Sequence, residues 1–288
     1  MADQPAQATP GQASSAGART TDTSAKTSSP RDRATVIGLA GAFAVVMVSM
    51  IMDGGNPFTL LLPAPIILVF GGTTLAALAS TRMKDAKNVP SIAKKALSGA
   101  DIAVEDTIPV MVHLAEVARR EGLLALEKAS ANIDDPFFKK GIELTVDGTD
   151  AEEIRDILEG EIDALNERHD EGCKFFANMG GFSPTLGILG TVIGLIRVLA
   201  NLSSPGMLGP AIASAFTATL WGVLAANLFW IPISNKLKRV SGIEVSQKRL
   251  MLDGILAIQS GSTPRMVEAR LMSWVSPKDR GNRNQKAA

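Results

Sequence analysis

Residues 175–196 read FFANMGGFSPTLGILGTVIGLI, 22 positions without one ionisable side chain. A helix needs roughly 20 mostly apolar residues to cross the hydrocarbon core of a bilayer, so this stretch, Phe175 to Ile196, predicts a membrane span. Working outward, three more uncharged runs appear. One is Ala34 to Met52, one lies inside Gly54 to Thr81, and one lies inside Val198 to Asn235. None of the four has a carboxylate in its middle. A chain that moves cations through lipid ordinarily needs an ionisable group at that depth. If this chain conducts ions, a partner is expected to supply the acid.

The flanking charges orient the runs. Arg31 and Arg33 precede the first, and the loop from Asp53 to about Leu62 has no Lys or Arg. Arg82, Lys84, Lys87, Lys94 and Lys95 follow the second, and the loop from Asn201 to Pro210 is uncharged. Lys236, Lys238, Arg239, Lys248 and Arg249 follow the fourth. Lys and Arg accumulate on the cytoplasmic side, so both termini and the block 82–174 are expected there. Arg197, near the outer end of the third run, is the exception, and its stem is long enough to snorkel to the interface.

The expected fold class is all-α: a polytopic membrane protein with four transmembrane helices and a helical cytoplasmic domain between spans two and three. The expected divisions are a disordered tail (1–33), spans one and two (34–81), the cytoplasmic domain (82–174), spans three and four (175–235) and C-terminal cytoplasmic helices with a tail (236–288). The tail is rich in Ala, Ser, Thr, Gln and Gly and lacks large apolar residues, so it cannot offset its ordering entropy. It does not read as a secretory signal, because the apolar run starts late and continues as the first span. The formal net charge is zero, which gives no reason to expect nucleic-acid binding. Cys173 is the only cysteine and permits no intrachain disulfide.

Inside the block, Ile108, Val112 and Ala115 lead into Leu123, Leu124 and Leu126 at helical spacing, with Gly122 as a break. Asp134, Asp135 and Pro136 read as a turn. Thr149 with Glu152 reads as a capping box opening an amphipathic helix that feeds the third span. Thr263 and Pro264 read as the N-cap and first position of a terminal helix. At 100° per residue, Arg120 and Glu127 fall about 20° apart and would share a helix face. No strand pattern persists. There is no phosphate-cradling loop, no metal-ligand cluster and no nucleophile beside a base, so no catalytic residue and no metal site are expected. His113 and His169 lie far apart and read as surface or interface histidines.

The third span carries three features: Pro184, which removes a backbone hydrogen bond; a smooth stripe of Gly187, Gly190 and Gly194; and the mid-membrane hydroxyl of Thr191. The fourth carries Thr217, Thr219 and Asn227, then Trp230 and Pro232 near its cytoplasmic end. The segments SPTLGILGTVIGLI and TATLWGVLAANLFWIPISNKLK resemble the third and fourth spans of the MotA/PomA family of flagellar stator subunits. The stretch from Ala118 to Glu127 resembles that family's rotor-facing segment, and the resemblance covers residues 34 to 275.

The resemblance implies roles residue by residue. Pro184 and Pro232 match prolines that couple ion flow to movement of the cytoplasmic domain. Thr191 and Thr219 match hydroxyls that line the ion path. Arg119, Arg120 and Glu127 match charged residues that engage the rotor switch protein FliG. The resemblance further implies a MotB-like single-span partner that carries the intramembrane aspartate and a peptidoglycan-binding domain, a pentamer around a partner dimer, residence in the bacterial inner membrane, and no cofactor beyond the translocated H+ or Na+. Ala218 and Trp221 stand where several relatives place Thr and Tyr or Phe, which leaves the ion open, with protons favoured. The alternative is a TolQ/ExbB-type proton-channel subunit energising outer-membrane processes, a family usually built with three spans. A secondary transporter would show broken-helix repeats, and none is visible.

Overall fold

The computed structural model describes residues 33–86, 88–92, 107–131 and 133–275, all of them helix, turn or loop with no strand. Residues 1–32 of the tail expected to be disordered, with Arg31, the flanking Lys87, Lys94 and Lys95, and residues 276–288 lie outside the described residues, while Arg33, placed in that tail, opens the first helix. The elements are α1 (Arg33–Met52), α2 (Pro63–Ala79), α3 (Met83–Ala86), α4 (Thr107–Glu121), α5 (Ala125–Ala129), α6 (Pro136–Val146), α7 (Ala151–Ala200), α8 (Pro205–Gln259) and α9 (Pro264–Leu271).

Local chemistry fixes the ends. Gly122 adopts φ +88°, a left-handed conformation that stops α4. Arg120 and Glu127 therefore sit on different helices, and the shared face expected from a 100° step does not form. Asp135 caps α6, its Oδ1 accepting from Phe138 N at 3.1 Å, with Pro136 as first residue. The cap of α7 is Asp150, whose Oδ2 accepts from Glu152 N at 3.1 Å. The capping box expected of Thr149 is thus displaced by one residue. Thr149 instead offers its carbonyl to Gln259 Nε2 at 3.2 Å, tying the start of α7 to the end of α8. Thr263 and Pro264 open α9 as the sequence predicts, Thr263 accepting from Met266 N.

α7 and α8 are the backbone of the fold. At 1.5 Å per residue they are about 75 and 80 Å long. They run antiparallel in contact through most of that length. A methyl placed on Gly194 would meet Ala215, one on Gly187 would meet Gly222, and one on Gly180 would meet Ile231. Further along, Ser234 Oγ donates to the Cys173 carbonyl at 2.9 Å, and His169 Nδ1 lies 3.0 Å from Ser241 Oγ. His169 is thus an interface histidine, while His113 is exposed.

The two ends of this pair bury different surfaces. At the charged end, Ile154, Leu158 and Ile162 of α7 and Leu250, Ile255 and Ile258 of α8 pack with Met111, Leu126, Phe138 and Val267 into one large core. Lys248 Nζ reaches both Asp135 oxygens at 2.8 and 2.7 Å and lies over the Phe137 ring, which pins α6 to α8. At the apolar end the clusters are small, centred on Phe176 and Met179 and on Val69, Trp221 and Ala225. There α7 shows Ile188, Leu189, Val192, Ile193, Ile196 and Leu199 to the outside on several faces. Its most apolar window is only 17% buried. A core helix of a soluble protein buries its apolar surface, so this one faces lipid or other chains. α7 and α8 are each long and apolar enough to cross a membrane, and α1 and α2 contain shorter apolar helices, Ile37–Met52 and Pro63–Ala79.

Candidate functional site

The small residues set how closely α7 and α8 approach at the apolar end. An ideal methyl on Gly187 would lie 2.9 Å from the Ala218 carbonyl oxygen, and one on Gly190 would lie 2.6 Å from Ala218 Cβ. On the facing helix, a methyl on Gly222 would lie 2.8 Å from the Ser183 carbonyl oxygen. No flexible tip could swing clear of most of these contacts, so the helices touch backbone to backbone. Ala218 is itself part of this contact, which explains why the small residue there fits.

That approach brings two hydroxyls together. Thr191 Oγ1 and Thr219 Oγ1 are hydrogen-bonded to each other across the crossing. Thr191 Oγ1 also donates to the Ala215 carbonyl at 3.1 Å, with the Gly187 carbonyl at 3.3 Å, and the Gly187 carbonyl lies 3.4 Å from Thr219 Oγ1. Each hydroxyl holds one proton and two lone pairs. With Thr191 donating to Ala215 and Thr219 donating to Thr191, Thr219 keeps lone pairs free to accept. The site is half-buried and uncharged. It offers oxygen ligands and proton acceptors but no titratable group of its own.

The prolines flank this layer on its charged side. Pro184 lies inside α7, which runs unbroken from Ala151 to Ala200, and Pro184 cannot bond the Gly180 carbonyl. Pro232 follows a π-helical segment, Ala225–Trp230, that interrupts the α-helical ladder of α8. Gly180 packs on Ile231, so the two prolines lie about five residues, or roughly 7.5 Å, apart along the helix pair. Two hydroxyls in the same region, Thr73 Oγ1 and Ser183 Oγ, and the Trp230 indole N–H are buried without a hydrogen-bond partner among the described residues. Nothing local marks these three as orphaned, because partner loss is a tertiary fact.

The third group of expected site residues lies far off, on the charged end. Arg119 and Arg120 are exposed at the end of α4, and Glu127 is exposed on α5. The Gly122 turn separates them. Trp221, named above only as a departure from relatives, has a packing role that the sequence does not reveal. Trp221 packs against Phe43 and Phe70 and donates its indole N–H to the Leu60 carbonyl at 2.8 Å, fastening the α1–α2 connection to α8. Only its aromatic character was visible beforehand. Among the described residues no group of three or more His, Cys, Asp or Glu could hold a metal ion.

Comparison with known proteins gives a consistent picture. Residues 129–249 match the MotA/TolQ/ExbB proton channel family, and residues 36–122 match the motility protein A N-terminal family. Motility protein A of Bacillus subtilis is 38% identical over 86% of this chain and 93% of its own. Chemotaxis protein PomA of Vibrio alginolyticus is 36% identical over 85% of this chain and 96% of its own. The fold is similar to the flagellar MotAB stator complex from Bacillus subtilis, with TM-score 0.81, 38% identity, and coverage of 87% of this chain and 99% of that one. It is likewise similar to C. jejuni MotAB, with TM-score 0.82, 31% identity, and coverage of 85% and 96%.

Proposed function

The chain belongs to the MotA/TolQ/ExbB proton channel family, in its motility protein A branch, and from that premise we propose how its geometry serves a rotary motor. It is a membrane protein, a flagellar stator ion-channel subunit and not an enzyme. The motility branch is favoured over the outer-membrane energisers by the match of residues 36–122 to a motility-specific family and by the relatives named above.

The observation that carries the mechanism is the Thr191–Thr219 contact in a layer without a carboxylate. A cation crossing lipid needs oxygen ligands and a charge to balance it. This chain offers the first and lacks the second. In our reading α1, α2, α7 and α8 supply four spans of the inner membrane, both termini are cytoplasmic, and a MotB-like single-span partner supplies the acid and holds the cell wall. The solved structures similar to this one are MotAB stator complexes, which supports a MotB-like partner. Five copies surround a partner dimer. Protons are the ion we favour over sodium.

Protonation of the partner's acid removes its charge and changes what it accepts from the Thr191–Thr219 pair. Pro184 and the π segment before Pro232 leave backbone groups outside the α-helical ladder close to that layer. Local changes of tilt there break fewer intrahelical bonds than elsewhere. The change is carried down α7 and α8 to the charged end, where Arg119, Arg120 and Glu127 engage FliG.

The test is genetic and ionic. A strain lacking this chain and any duplicate stator should not swim, and the wild-type chain should restore swimming. Restored speed should not depend on sodium when the proton-motive force is held constant. Normal swimming of the deletion strain refutes the motor role, and a speed that follows sodium refutes the choice of ion.

A further inference from the structure

Within residues 54–81 and 175–235, which hold the second, third and fourth spans, the chain carries one ionisable side chain, Arg197. It is exposed and has no ion-pair partner among the described residues. It lies at the rim of a cavity of about 280 Å³ formed where α2, α7 and α8 meet. The rest of the lining is almost wholly apolar and includes Pro65, Leu68, Ile193, Met207 and Ala211, with Ser214 as its one hydroxyl. Among the described residues no carboxylate or second cation lines it.

A guanidinium is charged at every physiological pH and is a rigid fork of donors that matches phosphate. Leaving it unpaired beside an apolar groove at the edge of lipid is costly, and an anion with a hydrocarbon tail resolves both halves of the problem at once. The volume is just below the usual range for small-molecule sites, which suits a length of acyl chain rather than a whole ligand. We propose that this groove binds an anionic glycerophospholipid from the leaflet opposite the cytoplasm. Its phosphodiester pairs with Arg197, and one acyl chain lies against Leu68, Ile193 and Met207.

The position gives the lipid a consequence. The lining includes Gly190, Gly194 and Ala218, which belong to the same α7–α8 contact that holds Thr191 against Thr219. A chain wedged there from the α2 side sets the spacing of the hydroxyl pair from behind. The proposal rests on the membrane placement given above, but its measurement does not use motility.

Native mass spectrometry on the full-length protein extracted with its partner in mild detergent, titrated with phosphatidylglycerol, is the direct test. Arg197→Gln should raise the lipid concentration for half-occupancy about tenfold, and Leu68→Trp, which fills the groove, should do the same. Arg197→Lys should fall between, and Arg239→Gln, at the other end of the spans, should leave binding unchanged. Wild-type titration by Arg197→Gln overturns the proposal. So does equal binding of phosphatidylcholine, which would mean general lipid contact, or displacement by millimolar inorganic phosphate, which would mean a free-anion site. Absence of the lipid from the complex as isolated, with binding only after dilution into detergent, would mean a neighbouring subunit covers the groove and also overturns it. If instead Pro232 or Thr191 variants swim normally while lipid binds as expected, the motor reading fails and the lipid site stands.

Discussion

Substitution of Gly194 by Ala tests whether the α7–α8 contact is set by backbone approach. The added Cβ would lie 2.5 Å from Ala215 Cβ and 2.9 Å from Ala215 Cα. Ordinary contact begins near 3.4 Å, so the first distance falls short by 3.4 − 2.5, about 0.9 Å. Both atoms are fixed to the α8 backbone, and no rotamer relieves the clash. The helices must part locally by about that amount. The Thr191 hydroxyl donates to the carbonyl of the same Ala215 at 3.1 Å, and a 0.9 Å displacement takes it beyond hydrogen-bond range. Overpacking costs about 1–3 kcal/mol and the lost hydrogen bond about 1, against a gain of up to about 1 from removing a helical glycine. The net expectation is a loss of about 1–3 kcal/mol. Gly181→Ala is the matched control, because nothing lies within 4 Å of its added methyl, and it should be neutral or stabilising. Thermal unfolding of both variants in detergent, beside swimming speed in a complemented deletion strain, reads the difference. A Gly194→Ala protein as stable and motile as wild type, or a Gly181→Ala protein equally damaged, refutes the reasoning.

Replacing Pro232 with Ala restores a backbone donor after the π segment and should abolish rotation while assembly with the partner persists; wild-type speed in tethered-cell assays would end the coupling role. Glu127→Lys should lower stator recruitment to the motor without lowering its membrane level, measured by fluorescence of a tagged chain, and unchanged recruitment would return Glu127 to an ordinary solvated position. Asp135→Ala removes both the α6 cap and the partner of Lys248, so it should lower thermal stability by about 2 kcal/mol and by more than Lys248→Met does. Burial, and secondarily the Asp170 charge, push the Cys173 thiol above its ordinary value of 9.0, with Lys238 opposing. The unfolded thiol then ionises first as pH rises, so stability should fall above about pH 9 in wild type and not in Cys173→Ala. Polar maleimides should label Cys173 slowly at pH 8 until the protein is unfolded.

The sequence made the helices and several of their ends legible because those features are local. Uncharged runs, the Gly122 break and the Thr263–Pro264 start each depend on neighbouring residues only. Thr149 and Asp150 are both good caps, and the sequence cannot choose between adjacent candidates when the choice depends on where the preceding turn, with Gly148 at φ +76°, delivers the chain. The shared face of Arg120 and Glu127 failed for a related reason: an angular step applies only within an unbroken helix. The hydroxyl pair could be named as two separate residues from the family resemblance, yet its contact across 28 positions needed the glycine stripe to be folded first. The Trp221 bond to Leu60, 161 positions away, left no local trace at all.

α7 and α8 pass from the apolar layer to the charged bundle without a loop. From Thr191 to Ile154 the distance is about 55 Å at 1.5 Å per residue, so a tilt of about 5° at the hydroxyl layer displaces the far end by about 5 Å. Under the proposed coupling the pair acts as a mechanical amplifier, turning an ångström-scale change at one end into a side-chain-sized stroke at the other. A flexible insertion, such as two glycines after Asn166, would leave both ends folded and ion binding intact while the stroke is absorbed in bending.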